Sequence, residues 1–119
     1  MRALLDSLLR NAAMEEILQR AGAPSVLAKV IGLYDTEAPA LLLAMRRAVT
    51  AGDADGLRRA AHKLKSTSAT LGATRLTELC RTLEAEARIN GDTASRLTAI
   101  ETEYDHVRPA LQAALEMSS

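Results

Sequence analysis

The chain has 119 residues, with 15 Lys and Arg balanced by 15 Asp and Glu, so it reads as one ordinary domain of zero net charge. That balance speaks against a general nucleic-acid binder, which carries a basic excess. Hydrophobic residues make up 48% but aromatics only 2%, with no Phe or Trp. A core must then come from Leu, Ala, Ile, Val and Met, a set that suits interlocking helices better than strands.

The opening stretch, MRALLDSLLRNAAMEEILQR, has an apolar run broken by Asp6 and Arg10, too short for a signal-peptide core. Residues 1–12 read as an extension or a linker stub, and a domain is expected over 13–117. It opens on a short helix built on Ala13, Ile17 and Leu18 and stopped by Gly22-Ala23-Pro24. Pro24 suits the first turn of the next helix, where its missing N–H costs nothing. That helix carries Val26, Leu27, Val30, Ile31 and Tyr34, then Leu41, Leu42, Met45 and Val49. Pro39 inside it predicts a kink or two abutting helices.

Ala51-Gly52-Asp53 is a stop followed by a cap. The next helix is expected from about Ala54 to Leu71, with Leu57, Ala61, Leu64, Ser68 and Leu71 in one narrow apolar seam. Gly72 ends it. A further helix carries Leu76, Leu79, Cys80, Leu83 and Ala87 and stops at Asn90-Gly91. Asp92 or Thr93 caps the last helix, with Leu97, Ile100, Tyr104, Val107, Leu111 and Leu115 on one face and a bend expected at Pro109. Short loops between long amphipathic helices predict an all-α fold. The expected topology is an up-down-up-down antiparallel four-helix bundle with an additional short N-terminal helix.

Cys80 is the only cysteine, so no internal disulfide or CxxC metal pair exists, and its place on a seam makes it core filler. No stretch approaches the roughly 20 apolar residues of a membrane span. A cytoplasmic, monomeric protein with no membrane and no nucleic-acid partner is expected. Glu103 and His106 form a single Glu-x-x-His pair. A carboxylate-bridged di-metal bundle needs two such pairs and further glutamates, so no metal site is expected and His106 reads as a surface histidine.

His62 lies about 140° from the centre of the apolar seam, at 100° per residue, and should face solvent. Lys65, Ser66 and Ala69 share its face, Arg58 precedes it by one turn, and Arg59 and Lys63 flank it. A neutral imidazole, with an ordinary pKa near 6.5, is nucleophilic near neutral pH and can take a phosphoryl group from an acyl phosphate. An ammonium beside it would offset the dianion. Small residues leave room for another protein. No phosphate loop, metal ligand set or leaving-group acid accompanies the histidine, so the catalytic parts would belong to a partner.

Residues 62–73, His-Lys-Leu-Lys-Ser-Thr-Ser-Ala-Thr-Leu-Gly-Ala, closely resemble the signature of histidine-containing phosphotransfer (HPt) domains, roughly H-x-L-K-G-S-S-x-x-L-G-A. The segments Ala51-Gly52-Asp53, Leu57-Arg58-Arg59-Ala60-Ala61 and Leu33-Tyr34-Asp35-Thr36-Glu37-Ala38-Pro39 are also similar to the family's pattern, and the resemblance covers about residues 13–115. It implies a helical phosphorelay intermediate, not an enzyme, in which His62 accepts a phosphoryl group from a receiver-domain aspartate and passes it to another receiver. It makes Lys65 the phosphate-stabilising residue and Gly72 the small residue at the helix end. Many members place Gln or Glu on the next helix against the imidazole nitrogen that stays unphosphorylated. Glu84 stands there, where it would hold the ring's tautomer.

Arg58, Arg59, Lys63, Ser66 and Ala69 become partner-docking residues. The implied partners are response-regulator receiver domains and a hybrid sensor histidine kinase. No cofactor belongs to this chain, Mg²⁺ being bound only in the partner receiver. The family usually has Gly where this chain has Ser66, a substitution that could narrow the choice of partner. Two rivals remain in view. One is a docking adaptor that binds a receiver or kinase without being phosphorylated, against which the intact His-x-x-Lys argues. The other is the substrate domain of a chemotaxis-type kinase, which needs dimerisation and ATP-binding domains that 119 residues do not hold.

Overall fold

A computed structural model describes residues 26–118 of the chain. The expected N-terminal helix and the Pro24 start lie outside the described residues. Four helices make up the rest: α1 (Val26–Ala51), α2 (Ala54–Leu71), α3 (Thr74–Arg88) and α4 (Thr93–Ser118), with no strand among the described residues. Pro39 sits inside α1 and Pro109 inside α4, and both helices run through them, so the alternative of two abutting helices at Pro39 does not hold. α1 packs on α2, α2 on α3, α3 on α4, and α4 back on α1, which closes a four-helix bundle.

The boundaries follow from local chemistry. Gly52 and Gly72 adopt left-handed backbone, φ 71° and 79°, a region open to glycine at little cost. At the end of α2 the Gly72 N–H donates to the Ala69 carbonyl at 3.0 Å and the Ala73 N–H to the Ser68 carbonyl at 2.9 Å. Two otherwise orphaned carbonyls are thereby satisfied. Asp53 caps the start of α2 by accepting from the Gly56 N–H at 2.9 Å. Asp92 does the same for α4, accepting from the Ser95 N–H at 3.1 Å.

The five seam positions read from the sequence of α2 are its five buried residues: Leu57, Ala61, Leu64, Ser68 and Leu71. They meet Leu76, Cys80 and Leu83 of α3, Ile31 and Met45 of α1, and Leu97 and Ile100 of α4 in one continuous core. On α1 the buried positions include Ile31, Tyr34, Ala38, Met45 and Ala48, while Leu41, Leu42 and Val49 are only partly buried. Ser68, a polar residue in the seam, is accommodated by a buried hydrogen bond of 2.9 Å between its Oγ and the Tyr34 hydroxyl. The Tyr34 and Tyr104 rings stack at a tilt, their centroids 6.0 Å apart. At the surface, Arg46 of α1 is ion-paired with Glu101 of α4, tying the first helix to the last.

Candidate functional site

α2 makes both the core and the candidate site, on opposite faces. With Leu57, Ala61 and Leu64 turned inward, His62 is carried outward and its side chain is 64% exposed. Lys63, Ser66 and Ala69 are exposed on the same outer surface. Lys65 is different: its side chain is only 22% exposed, because it leans across to α3.

What it leans toward is Glu84. This carboxylate is nearly buried, its side chain 8% exposed, and Oε1 lies 2.9 Å from Lys65 Nζ and 3.4 Å from His62 Nδ1. Neither approach is aligned as a hydrogen bond, so Oε1 is a buried acceptor held by charge alone. Its negative charge is felt inside the bundle, one turn back along α3. The Cys80 thiol is pushed up to about 12, first by burial and then by the Glu84 charge, with Lys65 acting in the opposite sense. Burial likewise pushes the Tyr34 and Tyr104 hydroxyls above their ordinary range.

His62, Lys65 and Glu84 are therefore one cluster. The basic residues around it separate into distinct environments. Lys63 pairs with Glu37 of α1 at 3.2 Å, and Arg58 with Asp55 one turn earlier at 3.0 Å. Among the described residues Arg59 has no ion pair or hydrogen bond. Arg58, Arg59, His62, Glu84 and Arg88 line one cavity of about 300 Å³ between α2 and α3. Ser66 and Ala69 lie one and two turns beyond His62, and Gly72 ends the helix without touching the cluster's cavity.

Two members of this surface are not evident from the motif. Arg88 follows Glu84 by one turn on α3 and so shares its face, a spacing that could have flagged it. Glu37 reaches Lys63 only through the α1–α2 contact, which no local pattern announces. At the other Glu-His pair, Glu103 Oε1 lies 3.9 Å from His106 Nδ1 and 3.5 Å from Arg75 Nε, an acid already engaged by a guanidinium. Among the described residues no group of three or more His, Cys, Asp or Glu side chains gathers to hold a metal ion. None of the described helices is long and apolar enough to cross a membrane.

Comparison with curated proteins and with solved structures found no significant match. The family model described as the Hpt domain matches residues 29–116, which takes in all of α2 and α3 and most of α1 and α4. An outward imidazole backed by a buried carboxylate thus lies on a helical bundle whose sequence, over most of its length, fits that family. The chain belongs to the Hpt domain family.

Proposed function

We propose that this chain is a phosphorelay intermediate that takes a phosphoryl group onto His62 from the aspartate of one receiver domain and yields it to another. Membership of the Hpt family implies phosphotransfer in two-component signalling, by a carrier rather than a catalyst. The observation that carries the finer reading is the exposed imidazole whose Nδ1 faces the buried Glu84 carboxylate. A proton on Nδ1 turned toward that oxygen leaves the lone pair of Nε2 free on the outer side. Nε2 then attacks phosphorus, the N–P bond forms, and the acyl P–O bond breaks with its electron pair on the departing aspartate. The ring becomes more positive as it is phosphorylated, and Glu84 is placed to hold the Nδ1 proton throughout.

Lys65 offsets the phosphoryl charge by turning from Glu84, its partner at rest. The receiver supplies Mg²⁺ and the remaining chemistry, and this chain holds no cofactor. Arg58, Arg59 and Lys63 form a charged rim, with Ser66 and Ala69 as small residues over which the receiver settles. Gly72 closes the helix that presents them. The reading places a cytoplasmic monomer between a hybrid sensor kinase and a response regulator. Its domain runs over 13–117 as an up-down-up-down antiparallel bundle, with 1–12 as an extension. The test is His62→Gln incubated with labelled, phosphorylated receivers. Label should vanish while helicity stays unchanged. Retained label would move the site, and binding without any label in the unaltered chain would make it a docking adaptor.

A further inference from the structure

Between α1 and α2 lies a hollow of about 130 Å³, lined by Val30, Leu33, Tyr34 and Glu37 of the first helix and by Thr67, Thr70 and Leu71 of the second. Its polar groups are already engaged. Thr67 Oγ1 donates to the Lys63 carbonyl at 3.2 Å and Thr70 Oγ1 to the Ser66 carbonyl at 3.1 Å, while the Tyr34 hydroxyl is bonded to Ser68. Glu37 pairs with Lys63. A polar ligand would find only that carboxylate to bind. An apolar side chain fits, since apolar cavities of about 150 Å³ hold a benzene ring. Leu33, in this lining, is 63% exposed, a large apolar side chain that the described residues leave to solvent.

The chain that leads into α1 has the pattern to fill it. Leu5, Leu8, Leu9, Ala12, Ala13 and Ile17 recur at spacings of three and four, one apolar stripe of a helix. Gly22-Ala23-Pro24 then offers a turn just before α1 begins at Val26. We propose that residues 5–21 fold back antiparallel to α1 as a helix and cover the hollow, with Ala13 over Leu33 and Ile17 against Val30. Counting outward from Ala23, each residue of the segment faces the one equally far along α1. Ala13 then meets Leu33, a small residue opposite a protruding one. Ile17 falls beside Val30. Arg10 falls beside Glu37, whose second oxygen can accept from it while Lys63 keeps the first, and Glu16 beside the exposed Lys29. Size and charge agree on one register.

Nothing in this contact depends on phosphorylation of His62. That ring approaches α3 through Glu84, whereas Lys63 reaches α1 through Glu37, so the seated segment lies beside the His62 face and leaves it open. The contact is a cover built into the chain. While seated it shields Val30 and Leu33, and its release presents an apolar patch at the α1 edge of the same face. A nitroxide on Asn11→Cys, in a full chain carrying Cys80→Ala, reads the contact without altering its apolar residues. Amide signals of Leu33, Glu37, Thr67 and Thr70 should broaden, while those of Asn90, Gly91 and Thr93, beyond the far end of α3, should stay sharp.

Sharp Leu33 and Thr70 signals would overturn the proposal and leave the hollow to another protein. Equal broadening in a mixture of nitroxide-bearing chains with isotope-labelled chains that carry no nitroxide would also overturn it, by assigning the hollow to a second copy. Ile17→Asp, which would set a charge against Val30, should lower the seated-to-released ratio by about tenfold or more, read as lost broadening with bundle helicity kept. It should also raise binding of a hydrophobic dye, and adding Leu33→Ser should abolish that extra binding. Broadening and dye binding that ignore Ile17→Asp refute the contact. For the register, Glu16→Lys and Lys29→Glu should each weaken the broadening and the double variant should restore it; two losses that simply add would refute it.

Discussion

Replacing Lys65 with methionine removes the ammonium that faces the buried Glu84 carboxylate and keeps most of the aliphatic stem. At 2.9 Å two unit charges attract by roughly 6 kcal/mol at an effective dielectric of 20. Desolvation of Glu84, whose side chain is 8% exposed, consumes much of that attraction. Stripping one partner from a buried pair costs about 3–5 kcal/mol, and the 22% exposure of Lys65 lets water screen part of it. We expect Lys65→Met to lower stability by about 2–3 kcal/mol, and Glu84→Gln by about 1–2 kcal/mol. The double variant should fall short of their sum by at least about 1 kcal/mol, because neither partner is then left alone in the interior. Urea unfolding followed by circular dichroism at neutral pH measures all four corners of this cycle. Additivity to within about 0.5 kcal/mol would refute the reasoning, since it would mean that the carboxylate is stabilised by something other than this ammonium.

Leu64 is fully buried between α2 and its neighbours. Leu64→Ala should cost about 2–5 kcal/mol in urea unfolding while His62, on the opposite face, keeps its labelling by receivers. Cys80 should resist a disulfide reagent at mildly alkaline pH until denaturant is added, because its thiol is fully buried and held up to about 12. The sign for stability follows. The folded thiol stays protonated where the unfolded one, with its ordinary value of 9.0, ionises. This contribution is therefore intact below about pH 9 and is lost as pH rises toward about 12, and Cys80→Ala should flatten the alkaline fall in unfolding free energy.

Helix identity and helix ends were legible because each is a local property. Leu57, Ala61, Leu64, Ser68 and Leu71 recur at spacings of three and four, and the same arithmetic that buries them turns His62 outward. Gly72 and Asp53 mark ends through conformational freedom and a side-chain acceptor, both readable from residue type. On α1 the pattern was blurred: Leu33 and Leu43 are exposed and Leu41 and Leu42 only partly buried, while Ala38 and Ala48 join Ile31, Tyr34 and Met45 in the core. Hydrophobicity alone does not say which of several apolar residues a neighbour will cover; the placement of the neighbouring helices does. The pairing of Glu37 with Lys63 and the grouping of Arg88 with Arg59 depend on how helices are set against one another, which periodicity within a single helix cannot contain.

Glu84 is where stability and the proposed chemistry meet. A leucine there would extend the seam of Cys80 and Leu83 and bring none of the desolvation cost of a buried carboxylate. Its acceptor Oε1 has no aligned donor at rest, a debt that the folded chain carries. Both groups that approach it, the Lys65 ammonium and the His62 ring, belong to one face of α2, and nothing in the packing of the core requires either. The cost is intelligible if the carboxylate serves the ring. In that role it would fix Nδ1 from within, so that the outer nitrogen would be the reactive one, and it would store Lys65 beside the place where a dianion would form. Phosphorylation would then strengthen the contact from Glu84 to the more positive ring as it draws Lys65 away, exchanging one ion pair for another with little net loss of charge neutralisation inside the bundle.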